Sequence, residues 1–133
     1  MQWNLLTATL TTNAVFSGLS GVALTLGAQP MSEWLGIPTW ISIAVGLGLV
    51  LFSAQVAMTA RNPKPPAVRM VIAGDVVWVV SAIVLIAIFP DAMSSQGTVA
   101  LAVVTGVVAT FALLQWLGLR SADRAGGRVA AHV

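Results

Sequence analysis

Of 133 residues, 58% are hydrophobic and only 8% are charged, with a formal net charge of +2 at pH 7. Soluble domains carry about 25% charged residues, so this chain cannot cover a water-facing surface and lipid must be its main solvent. With no cysteine, and His132 as the one histidine, disulfides, thiol redox chemistry, thiolate metal sites, S-palmitoylation and an intramembrane bis-histidine haem are excluded.

The mean hydropathy of +0.95 and the length leave room for about four spans of ~20 residues with short links. The first is placed at 5–28. It has Trp3 as an interfacial anchor and no basic residue ahead of it, so it reads as a retained span rather than a cleaved signal. Asn13, Ser17 and Gly21 recur along it every four residues, with Ala14 and Gly18 beside them. Such a small-residue stripe lets another helix come close. Residues 29–38 form a turn between Pro30 and Pro38, in which 31–35 suit a short interfacial helix, and Trp34 and Trp40 suit a headgroup belt. The second span, 39–60, carries Gly46 and Gly48 at mid-depth and Gln55 near its end.

Residues 61–69 hold three prolines and three basic residues, which predicts a charged loop. The third span, 69–89, is a run of mostly apolar residues that carries one acid, Asp75. A carboxyl group in hydrocarbon is costly and needs a partner, a proton or a task. Residues 90–97 turn the chain again. The fourth span is placed at 98–119, with Thr105, Gly106 and Thr110 as small or polar packing positions. The remainder, 120–133, is read as a polar, frayed cytoplasmic tail after a membrane domain of 1–119.

All six basic residues lie in two clusters, Arg61, Lys64 and Arg69 in the middle link and Arg120, Arg124 and Arg128 in the tail. The sequence pI of 10.6 therefore reports topology rather than affinity for nucleic acid. The positive-inside rule places the middle link and both termini in the cytoplasm. The expected fold is an all-α, four-span, up-down antiparallel bundle. Spans rich in glycine, alanine and valine, with few lysines, suggest the inner membrane of a bacterium.

Asn13, Gln55, Asp75 and Gln115 occupy one layer. Gln55 lies six residues before Arg61, Asp75 six after Arg69, and Gln115 five before Arg120, each roughly 8–9 Å from its basic marker at 1.5 Å rise per residue. The separations Asn13 to Gln55 (42 residues) and Asp75 to Gln115 (40 residues) raise the reading of two pseudo-repeated hairpins. In one reading the layer is a hydrogen-bonded knot, with the three amides satisfying Asp75. In the other, Asp75 is a ligand or proton site, reached by Arg61 or Arg120 from a helix end. Trp78, one turn from Asp75, then offers an aromatic face to a cationic ligand; the plainer role for Trp78 is core packing. Ser17, Gly18, Gly21, Gly46 and Gly106 are assigned to helix packing.

Asp75 is the one acid well inside a span, and no lysine lies in any span, so neither a metal site, a paired-carboxylate site nor a Schiff base is expected, and no cofactor and no enzyme activity. In size and span count the chain is similar to the small multidrug-resistance transporters, but their first-helix acid is missing, and no family is assigned. Two functions remain. One is a bundle acting by association, as an accessory subunit of a membrane complex or a homo-oligomer holding a lipid-like or other apolar ligand. The other is a proton-coupled transporter working through Asp75.

Overall fold

The computed structural model describes the backbone of residues 2–131 and the side chains of residues 5–121. Trp3, Arg124, Arg128 and His132, used above as anchor, topology markers and exclusion, lie outside the described side chains. Among the described residues all regular structure is helical: α1 (Gln2–Leu26), α2 (Ala28–Leu35), α3 (Thr39–Arg61), α4 (Pro65–Ile88) and α5 (Ser95–Ala131). Three helices, α3, α4 and α5, are long and apolar enough to cross a membrane. The pair α1–α2, bent by 98°, is a fourth candidate when counted as one broken span. The hydroxyls that dilute the apolarity of α1 turn back onto its own backbone: Thr9 Oγ1 donates to the Leu5 carbonyl at 2.8 Å, and Thr25 Oγ1 to that of Gly21 at 2.7 Å. An apolar environment tolerates such hydroxyls because the helix itself supplies their acceptors.

The helix ends depart from the predicted spans for local reasons. α1 stops at Leu26, two residues early, where Gly27 leaves helical geometry and the chain turns into α2. The short interfacial helix is longer than 31–35, and it ends at Gly36, whose φ of +71° is left-handed and favours glycine. The charged loop at 61–69 shrinks to residues 62–64, because Pro65 and Pro66 open α4. A proline in the first helical turn gives up only an N–H that had no partner there. At the other end Phe89, at φ −123°, is pushed out of the helical region by Pro90. The predicted frayed tail is also corrected: α5 runs on to Ala131, in a stretch that contains no proline to stop it.

Ser94 ties the two ends opposite the charged link. Its hydroxyl donates to the Trp34 carbonyl at 2.7 Å and accepts from the Gly97 N–H at 3.0 Å, while its own N–H reaches the Leu35 carbonyl at 3.0 Å. One residue thus caps α5 and fixes the C-terminus of α2 against it.

Helix packing is uneven. α1 lies between α3 and α5, and α5 packs on α4, but α3 and α4 touch little although they are consecutive. The most extensive helix contact is between α1 and α3. A Cβ on Gly21 would stand 2.7 Å from the carbonyl oxygen of Gly46 and 2.9 Å from the backbone nitrogen of Val50, and one on Gly18 would stand 2.8 Å from Ser53 Oγ. The stripe on the first span is therefore consumed inside the chain, with Ala14, Gly18 and Gly21 turned to α3. Gly106 is corrected as a packing residue of this chain: a Cβ there would meet nothing within 4 Å. Leu6, Leu10, Val56, Val68, Val71 and Leu119 form the buried cluster that joins the four long helices.

Two α3 hydroxyls cross to α1 backbone, Ser42 Oγ to the Leu24 carbonyl at 2.8 Å and Ser53 Oγ to the Ala14 carbonyl at 2.7 Å. Interhelical hydrogen bonds in membranes average about 0.6 kcal/mol. Ser42→Ala and Ser53→Ala should each lower stability by about that much, and additively because the sites are several turns apart. Unfolding by sodium dodecyl sulfate, followed by far-UV circular dichroism, reads the effect.

Candidate functional site

Three helices bring one polar side chain each to a single buried point. Asn13 comes from α1, Asp75 from α4 and Gln115 from α5, at 0%, 2% and 0% exposure. Asp75 Oδ2 accepts from Asn13 Nδ2 at 3.0 Å and from Gln115 Nε2 at 2.9 Å. Asn13 Nδ2 also donates to Gln115 Oε1 at 3.0 Å, which closes a triangle. Ser17, one turn along α1, donates to Asn13 Oδ1 at 3.0 Å and fixes the amide's direction. Positions i and i+4 share a helix face, so this hydroxyl was legible in the spacing of Asn13 and Ser17, although its predicted role was packing alone.

Gln55 does not join. It is partly buried, and among the described residues its side chain makes no hydrogen bond to the triangle. The inward face of α3 at this level is occupied by Val56 and Thr59, and Gln55 is rotated off it. Nor, among the described residues, is Arg61 or Arg120 bonded to Asp75. Arg120 instead lies over the ring of Trp116, 5.2 Å from its centroid. These two residues, with Arg69, Ile72 and Leu119, border a separate hollow of about 360 Å³ between α4 and α5.

Both donors to Asp75 land on the same oxygen, Oδ2. The other, Oδ1, has no hydrogen-bond partner among the described residues. Asp75 also forms part of the wall of an internal cavity of about 310 Å³, to which all four long helices contribute. Phe16, Ser17 and Ser20 come from α1, Gly48 and Phe52 from α3, Trp78 from α4, and Val104 and Val108 from α5. Phe16 is held edge-on by Phe111, with centroids 5.7 Å apart. Trp78 Nε1 is buried without a hydrogen-bond partner, a cost of about 1–3 kcal/mol for a donor cut off from water. α3 and α4, which touch little, both border the cavity. Phe52 spans the gap there, its ring edge 2.8 Å from the point where a Cβ on Gly74 would stand.

One acid is oriented by two amides, and its outer oxygen stands beside aromatic rings. Among the described residues no group of His, Asp and Glu could hold a metal ion. Phe16, Phe52, Gly74 and Ser20 were missed by sequence reasoning, because their part in the cavity depends on how far the helices are rotated, which no polar marker reports. The chain matches no family model, no curated protein and no solved structure.

Proposed function

We propose that this protein is a four-span bundle that acts by association in a membrane, holding a small apolar or lipid-like ligand in the cavity against Asp75. The observation that carries the reading is the cavity itself. Ligand sites run from about 300 Å³ upward and are mostly apolar with a few convergent polar groups, and this one has 310 Å³, aromatic walls and one acid. The seam between α3 and α4 gives lipid-soluble molecules a sideways route in. It also gives a second copy, or a subunit of a larger complex, a place to close the wall, so homo-oligomer and accessory-subunit forms both fit. The reading is of a binding protein without catalytic activity.

The topology proposed with it is up-down, with the two hairpins as pseudo-repeats and both termini, the tail and the middle link on the cytoplasmic side of a bacterial inner membrane. It rests on the bias of all six basic residues toward those regions.

Gly48 offers the cleanest test, because it borders the cavity and a Cβ there would meet nothing within 4 Å. Gly48→Leu should fill the cavity without disturbing the fold. Native mass spectrometry of protein extracted gently from its own membrane should show a non-covalent ligand on the wild type, and none on Gly48→Leu at an unchanged melting temperature. A bare wild-type monomer, or a ligand retained by the variant, would refute the reading.

One observation favours a second reading, proton-coupled transport. Asp75 Oδ1 is left without a protein donor beside the cavity, as a site that alternately takes a proton and a substrate requires. That reading predicts flux driven by a proton gradient and abolished by Asp75→Asn.

A further inference from the structure

The polar contacts in the cavity narrow the class of ligand, given that the cavity holds one. Asp75 receives two N–H donors on Oδ2, which orient its carboxyl group, and neither donor carries a charge. The groups facing it are Asn13 and Ser17 from α1 and Gln115 from α5, all uncharged, with Phe52 the nearest contribution from α3. No lysine, arginine or histidine borders the cavity among the described residues. An ionised carboxylate in hydrocarbon, hydrogen-bonded on one side only, calls for a cation on the other. The rings of Phe16, Phe52 and Trp78 add to this, since an aromatic face attracts a cation within about 6 Å of its centre.

We propose that the ligand is a small organic ammonium with an apolar arm, its cationic nitrogen set against Oδ1 of Asp75 and its apolar body among Phe16, Phe52 and Trp78. The inference rests on the ligand-holding reading and adds charge to it. At 310 Å³ the cavity suits a molecule the size of one ring and one ammonium head, not a two-chain lipid. The buried Trp78 Nε1 lies one helical turn from Asp75.

The test compares benzyltrimethylammonium with neopentylbenzene, which has the same shape with carbon in place of the cationic nitrogen. The full chain, with its tryptophans ¹⁵N-labelled, is placed in lipid nanodiscs. Each probe is titrated as a mole fraction of the lipid, and the indole N–H resonance of Trp78, assigned from Trp78→Phe, reports binding at this site rather than general partition. The cationic probe should saturate the Trp78 shift at a concentration about tenfold or more below that of the neutral one. In Asp75→Asn the two should become equal. If both probes bind the wild type equally, the ammonium proposal is overturned while the ligand-holding reading stands. If neither moves Trp78, both readings fall. Should Asp75→Asn not fold, the wild-type comparison decides alone.

Discussion

Methyl groups at Gly21 and Gly46 should each loosen the chain, by about 1–3 kcal/mol. A Cβ on Gly21 would be driven to 2.7 Å from the carbonyl oxygen of Gly46 and 2.9 Å from the backbone nitrogen of Val50. Backbone atoms cannot swing aside as a side chain can. α1 and α3 must therefore separate, and the hydrogen bonds of Ser42 and Ser53 that span the same crossing lengthen with them. The reverse position behaves alike, because a Cβ on Gly46 meets Thr25 and stands 2.8 Å from the Gly21 carbonyl oxygen. Since both changes act on one crossing, the double variant should lose less than the sum. Gly106→Ala is the control. Its Cβ would stand in open space, and replacing a helical glycine by alanine gains up to about 1 kcal/mol. Detergent-unfolding midpoints for the four variants decide the matter. If Gly21→Ala proves no more damaging than Gly106→Ala, α1 and α3 do not cross at these glycines.

The same crossing marks how far the sequence could be read. Small residues at four-residue spacing announce a close helix contact, and Gly18 and Gly21 make one. The pattern does not say which helix arrives, or whether it belongs to this chain; that depends on the whole set of helix rotations. The level of Asp75 and Gln115 was legible by counting residues from Arg69 and Arg120. Asn13, Asp75 and Gln115, placed at one level by counting residues, do meet. Gln55 was placed by the same count and stays apart, because counting fixes height and not rotation. The inward face of α3 carries Ser42, Gly46, Val56 and Thr59, and small hydroxyls mark a face less plainly than the amide of Gln55 does. Pro65 and Pro66 misled for a different reason. Proline ends a helix when it falls inside one, but begins a helix as readily, and composition alone does not separate the cases. The cavity was not legible at all. It arises from two helices failing to pack, and Gly48, Gly74 and Phe52 acquire meaning only once that gap exists.

Asp75→Asn should leave the fold nearly intact and abolish function, whereas Asn13→Leu should damage the fold itself. An asparagine at position 75 can place its carbonyl oxygen where Oδ2 stands and keep both incoming N–H bonds, from Asn13 and Gln115. Its NH₂ then takes the place of Oδ1 beside the cavity. The triangle survives, so stability should change by less than about 1 kcal/mol, consistent with about 0.6 kcal/mol per interhelical bond in a membrane. What reverses is the face shown to the cavity: an acceptor with a charge becomes a neutral donor. Retention of ligand, or flux in proteoliposomes under a proton gradient, should fall at least about tenfold, the effect of losing about 1.4 kcal/mol of binding. Asn13→Leu does the opposite. It removes a donor shared by Asp75 and Gln115 and the acceptor used by Ser17, and it presses an apolar branch against a buried carboxyl. Leaving buried polar groups unpaired costs about 1–3 kcal/mol, so this variant should unfold at markedly lower detergent. A structural knot with no further role predicts another pattern, in which Asp75→Asn and the wild type retain the same ligand or sustain the same flux. That result would remove Asp75 from both functional readings and leave the triangle as the lock that sets how α1, α4 and α5 meet.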